Sequence, residues 1–216
     1  MSAITWDGTG TRAYETGVSK GVLYPLSAGV YSMGYAWNGL TGVTESPSGA
    51  DPSDLYADDI LYASLRAAEK YGATIECYTF PAKFAECNGF ASLTTGVLVG
   101  QQARTAFGLC YRTKVGTDAN EDSGYKLHIV YGATANPSER AYQTVNDSPE
   151  PITFSFEITT VPVVVTGFKP TAYIEIDSRT VDATKLAAFE KIIYGDVAVE
   201  PRLPLPDEVK TLLTAA

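Results

Sequence analysis

The sequence predicts a mainly β protein (α+β by content), an antiparallel sandwich or barrel with one flanking helix. Three observations predict it. Apolar residues recur at every second position in several segments, clusters of turn formers separate those segments, and helical signals are few and local. The chain has 216 residues, 45% hydrophobic and 19% charged. That balance supplies a core for one domain spanning 1–216, because β-sandwiches routinely exceed the ~150 residues of a typical domain.

Taken in order, residues 1–20 read as an N-terminal arm. The segment from Tyr35 to Tyr56, YAWNGLTGVTESPSGADPSDLY, reads as a long loop. Gly39, Gly42, Pro47, Gly49 and Pro52 interrupt any helical or strand period, whereas Trp37, Leu40 and Val43 are too apolar to be left in solvent. Long loops in compact domains are usually functional, binding or disordered. No Lys, Arg or His occurs from Gly21 through Leu65, but Glu45, Asp51, Asp54, Asp58 and Asp59 do. The expected neighbour is therefore not a phosphate. Asp58 to Tyr71 is ambiguous: Ile60, Leu61, Leu65 and Ala68 make a helical stripe, and an edge strand followed by one helical turn fits as well.

A single turn is expected from Pro81 through Lys83, Phe84 and Cys87. Strands are expected at Phe107–Val115, Leu127–Tyr131, Ile152–Thr159 and Ala172–Ile176, the third alternating Ile152, Phe154, Phe156, Ile158 against Thr153, Ser155, Glu157, Thr159. Turns are expected at Gly116–Gly124, Gly132–Glu139, Asn146–Pro151 and Gly167–Pro170. Thr180 is positioned to cap a helix over 181–194, with Asp182, Leu186, Phe189 and Ile193 on one side and Gly195 closing it. After Pro204 and Pro206 a short helix is expected over Asp207–Leu213, within an otherwise extended segment 196–216.

The net charge of −9 disfavours tracking of a nucleic-acid backbone, which needs clustered Lys and Arg. No apolar run reaches the ~20 residues of a membrane span, and Met1-Ser2-Ala3 leads into polar residues unlike a secretion signal. Synthesis in the cytoplasm is the expectation. Cys77, Cys87 and Cys110 lack CxxC spacing and read as reduced thiols, although spacing leaves a bridge between two of them open.

No phosphate loop, HExxH, GxSxG elbow or calcium loop is present. The sole histidine, His128, lies in a strand opposite the face of Leu127 and Ile129, and its simplest reading is a solvated or interface residue. A thiol hydrolase would have to bring Cys87 or Cys110 to it. The residues Asp118, Glu121 and Asp122 could hold a hard cation, but a solvated hairpin tip is the better reading. No catalytic residue, metal ligand or cofactor is assigned. A sandwich that binds carbohydrate through Trp37, Tyr35 and Tyr142 is the alternative from the binding class.

Several segments in sequence order resemble the major tail proteins, or tail tube proteins, of bacteriophages with long non-contractile tails. They are Gly21–Pro25, Ala36–Ala50, Leu55–Asp58, Gly72–Tyr78, Phe84–Cys87, Gly100–Gln102, Phe107–Tyr111, His128–Ala133, Asn146–Pro149 and Leu203–Val209. The resemblance implies a structural virion protein, not an enzyme, with a β-sandwich and flanking helix. Six copies would close into a ring and rings would stack into a tube that conducts the genome into the host. Itself would be the main partner, with tape-measure, tail-tip and tail-terminator proteins, and DNA passing without specific binding or membrane insertion. Location would be the virion tail after synthesis in the host cytoplasm.

The resemblance also favours a strand through Ile60 and Tyr62 followed by a helical turn. It makes the Tyr35–Tyr56 loop the inter-ring contact, through Trp37, Asn38, Leu40, Val43, Glu45 and Pro47. A conduit lined with carboxylates would leave DNA free to slide, and Glu76 and Glu157 are the candidate lumen residues.

Overall fold

The computed structural model describes residues 4, 6–31, 33–49, 51–145, 147 and 150–214. Its strands in chain order are β1 (Ala13–Ser27), β2 (Val30–Tyr31), β3 (Tyr35–Trp37), β4 (Leu40–Glu45), β5 (Pro52–Ala57), β6 (Ile60–Arg66) and β7 (Gly72–Cys77). A one-turn helix α1 (Phe84–Cys87) precedes β8 (Ala91–Thr94), β9 (Val97–Val99), β10 (Phe107–Thr117), β11 (Gly124–Ala135), β12 (Phe154–Thr160) and β13 (Tyr173–Asp177). Helices α2 (Ala183–Tyr194) and α3 (Pro206–Thr214) close the chain.

One nine-stranded antiparallel sheet dominates, in the order β2-β1-β10-β11-β12-β7-β4, with β3 added to β1 and β13 to β11. The long strand β11 is shared by two partners. Its first half pairs with β13 through Lys126–Val130, and its last residues, Ala133–Ala135, pair with β12. Gly132 makes the handover. Its φ of 59° is left-handed, and a side chain there would run into the carbonyl of Val161, whose N–H donates to the Gly132 carbonyl. The ladder to β10 also shifts register at this place. A bulge of this kind bends a strand and lets one sheet fold over into two layers.

Those layers enclose the first core. Leu23, Phe107, Leu109, Tyr111 and Val130 from β1, β10 and β11 face Ile75, Phe156 and Ile158 from β7 and β12. Phe84 of α1 plugs its end, with its ring 4.6 Å from Trp37 and 4.8 Å from Phe156 between centroids. The opposite face of β1, β10, β11 and β13 carries a second core. There Tyr24, Cys110, Ile129, Tyr131 and Ile176 pack against Leu186, Phe189 and Ile193 of α2 and Val209 of α3. Burying both faces explains why β10 opens as a continuous apolar run rather than an alternating one.

The expected fold class is the observed one, a mainly β antiparallel sandwich with flanking helices. The strands expected near 107–115, 127–131, 152–159 and 172–176 form β10 to β13, and the turn after Pro81 forms α1. Several details differ. The cap of α2 is Asp182, not Thr180, because its carboxylate accepts from the backbone N–H groups of Thr184 and Lys185. The expected turn at Gly132–Glu139 begins late, since β11 continues to Ala135. Of the turn at Asn146–Pro151, Asn146, Ser148 and Pro149 lie outside the described residues.

Residues 13–20 of the expected arm are strand, held where Lys126 bridges Glu15 and Glu175. The C-terminal segment is docked rather than extended, through Leu203 and Val209 in the second core. The largest correction concerns Tyr35–Tyr56. It is no loop: it contains β3, β4 and most of β5, and its apolar residues are apolar because β3 and β4 face the core.

Candidate functional site

The surface feature that the core does not account for is the hairpin β5–β6. Among the described residues its two strands pair with each other alone, as a sheet of their own. The turn is Asp58-Asp59, with φ of 51° and 61°. Two successive left-handed residues give the two-residue turn whose twist matches that of the strands, and aspartate tolerates that conformation better than most side chains. Six large apolar residues stand in solvent: Leu55, Tyr56, Ile60, Leu61, Tyr62 and Leu65, with Tyr56 73% and Tyr62 71% exposed. Because Ile60, Leu61 and Tyr62 are consecutive in a strand, both faces carry apolar side chains. A lone hairpin is marginal in water, and exposed apolar patches of this kind mark protein, membrane or ligand contacts.

A second detached hairpin, β8–β9, repeats the pattern on a smaller scale. It turns through Gly96 at φ 80° and exposes Leu93, Val97 and Leu98.

The expected contact residues sit elsewhere. Trp37 is buried, donating its indole N–H to the Thr79 carbonyl at 3.1 Å, while Leu40 and Val43 are half-buried against the first core. Their apolar character is spent internally. Glu45 accepts a hydrogen bond from the Tyr111 hydroxyl at 3.0 Å. Of the six, Asn38 and Pro47 remain exposed without a bonded role that would mark a contact. The burial of Trp37 also removes the centre of the aromatic platform that carbohydrate binding would need, and leaves Tyr142 exposed on its own.

Glu76 and Glu157 are brought together. They lie on adjacent strands β7 and β12, where Glu76 opposes Ser155 and Glu157 opposes Thr74, a diagonal pair on one face. Both are exposed, whereas Ala73, Ile75, Cys77, Phe156 and Ile158 between them turn inward. Thr44 of β4 and Thr159 extend this outer face. None of the three strands β4, β7 and β12 contains Lys or Arg, so the face is carboxylate and hydroxyl only.

His128 is buried rather than solvated. Thr113 Oγ1 lies 2.8 Å from its Nε2 and the Tyr173 hydroxyl 2.6 Å from its Nδ1, and its ring stacks on Tyr111. Burial pushes its pKa below the ordinary 6.5, against the opposing pull of Glu175, Glu45 and Glu15. Cys110 pairs with Ile129 and so faces the helices, on the opposite side of the sheet from His128. Burial pushes both the Cys87 and Cys110 thiols up to about 12. A Cys110–His128 couple is therefore ruled out by the side of the sheet each occupies. All three cysteines are free and buried.

The expected strand through Ile60 and Tyr62 is β6, which runs on to Arg66 with no helical turn after it, whereas most of its partner β5 lies inside the expected loop because the signals of a hairpin are muted here. Asp58-Asp59 is not one of the Asn-Gly or Asp-Gly pairs that announce a tight turn, and Ile60-Leu61-Tyr62 hides the two-residue alternation. The readable sign was the density of Leu, Tyr and Ile on both sides of a two-residue acidic break. Compared with protein-family models and with curated proteins, the chain matches none.

Proposed function

We propose that the chain is a self-assembling structural subunit of a bacteriophage tail tube, forming hexameric rings that stack into a conduit for the genome. The observation that carries this reading is the β5–β6 hairpin, whose apolar residues are left exposed by the described residues of their own subunit. It takes over the inter-ring role first expected of Trp37, Leu40 and Val43. A ring of heterologous contacts supplies each copy with a neighbour to receive such an element, and stacked rings repeat the contact without limit.

The outer face of β4, β7 and β12 supports the conduit. With Glu76 and Glu157 and no cation on its strands, it repels a phosphate backbone if turned to the lumen, and DNA slides past without being held. Tape-measure, tip and terminator proteins are the remaining proposed partners, on the resemblance in sequence alone.

Electron microscopy and sedimentation of the full-length protein test the reading. Rings or tubes whose abundance rises with concentration are expected. A monomer at every concentration, with or without a tail complex as a seed, overturns it.

A further inference from the structure

The ends of the bent sheet almost meet. Leu40, opening β4, lies directly over Gly21 of β1, where any side chain would collide with it. Beside that closure β1 is irregular. Its register against β10 shifts twice, between Thr16 and Val18 and between Ser19 and Val22, with Gly17 at φ 63° and Lys20 at φ 50°. Lysine has no intrinsic liking for a left-handed backbone, and bulges commonly re-aim a side chain. The result is a groove of about 640 Å³ between β1, the β3–β4 turn and Tyr194 of α2. Its walls are largely apolar, including Val18, Val22 and Leu40, and Lys20 is the one charged residue that lines it. The Lys20 ammonium lies 5.4 Å above the Tyr194 ring, and among the described residues no carboxylate is within ion-pair distance of it.

We propose that this groove receives the β5–β6 hairpin of a second copy of the chain, with Asp58 and Asp59 at its tip meeting Lys20. The inference rests on the self-assembly reading and names the surface on which assembly occurs. Three properties match. The hairpin carries Asp54, Asp58 and Asp59 against the single Arg66, and the groove carries Lys20, which forms no ion pair among the described residues. The hairpin is apolar on both faces next to its acidic tip, and the groove is apolar next to Lys20. Strands of six and seven residues reach about 20 Å from their base at ~3.3 Å per residue, far enough to cross to a neighbouring subunit. Carbohydrate or a foreign peptide would have no such claim on both the acid and the apolar partner.

Two full-length single variants, Ser19→Cys and Asp59→Cys, mixed in equal amounts and oxidised, test it; the three native thiols are buried and stay out of the reaction. Several-fold more disulfide-linked dimer in the mixture than in either variant alone is expected, and Lys20→Glu in the first variant should reduce it. Because Asp59 occupies a left-handed position, Tyr56→Cys on the regular strand serves as a second probe of the same hairpin. Equal dimer in the mixture and in the separate variants, with both probes, overturns the docking. Microscopy of the unmodified protein separates the two readings. Tubes without a mixed disulfide keep assembly and remove this groove, whereas a mixed disulfide without rings or tubes at any concentration keeps the docking and removes the tube.

Discussion

The bent nine-stranded sheet and the β5–β6 hairpin use the same kinds of residues to opposite ends. Within the sandwich, Phe107 and Phe156 of the sheet are completely buried and both meet the equally buried Phe84 of α1; in the hairpin, Tyr56, Ile60 and Tyr62 are exposed. Apolar composition alone therefore does not define a core. What separates the regions is partnership: β10 and β11 are covered on both faces, whereas β5 and β6 have only each other. A stability measurement and an assembly measurement should consequently respond to different residues.

The contrast is broken most severely at Phe84. Its side chain is fully buried and meets Trp37, Phe80, Phe107 and Phe156. Phe84→Ala should cost about 3–5 kcal/mol in urea-induced unfolding, the range for opening a cavity of that size. A loss like that of a surface substitution would mean that α1 does not plug the sandwich.

His128 comes next, because it is a polar group that the core has absorbed. His128→Gln disturbs the bonds to Thr113 and Tyr173 and should cost about 1–3 kcal/mol, the range for leaving a buried polar partner unsatisfied. It should also change the pH dependence. Since burial holds the folded-state pKa below 6.5, the unfolded chain takes up this proton first as pH falls. Stability is complete above about 6.5 and is lost from there down to the folded-state pKa. Glu15, Asp177 and Glu208 are held below the carboxylate range by Lys126, Arg179 and Arg202, so their contributions disappear only at lower pH. Thermal melts between pH 7 and 5 should slope downward for the native chain and flatten for the variant. A smaller effect is expected from Asp182→Ala, about 1 kcal/mol for loss of the α2 cap.

Of the nine strands in the sheet, β10 to β13 were legible and β1 to β4 and β7 were not; β12 is the clearest because one face is wet, so that Phe156 and Ile158 alternate with Glu157 and Thr159. The helix α2 was legible for the same reason, through Leu186, Phe189 and Ile193. What failed was the passage from local pattern to environment. Gly39, Gly42 and Pro47 suggested a loop, yet Gly39 makes the tight β3–β4 turn and Gly42 lies within β4, opposite Glu76. Trp37, expected to meet a neighbouring ring, is instead covered by Phe84 from far along the chain, a contact that no local pattern states. His128 was placed on the correct side of its strand, but only the second layer reveals that this side is buried too. Glu76 and Glu157 stand on the outer face of half-buried strands, and it is the pairing of β7 with β12, which no local pattern states, that puts them side by side.

The smallest effect on stability is the most informative, and it belongs to the hairpin. The combined change Tyr56→Ser and Leu61→Ser replaces directly paired residues that are 73% and 53% exposed. Substitutions at such positions usually stay within about 0.5 kcal/mol, so the unfolding midpoint should hardly move. The same variant should lose concentration-dependent assembly in sedimentation, because tyrosines that meet a partner often carry a large share of contact energy and the leucine adds apolar area removed from water. Two outcomes would collapse the comparison. If stability falls by several kcal/mol, the hairpin packs on its own subunit and belongs to the core; if assembly persists unchanged, its apolar surface serves no neighbour. An intact fold that no longer associates would establish that this chain keeps its folding residues and its contact residues on separate elements.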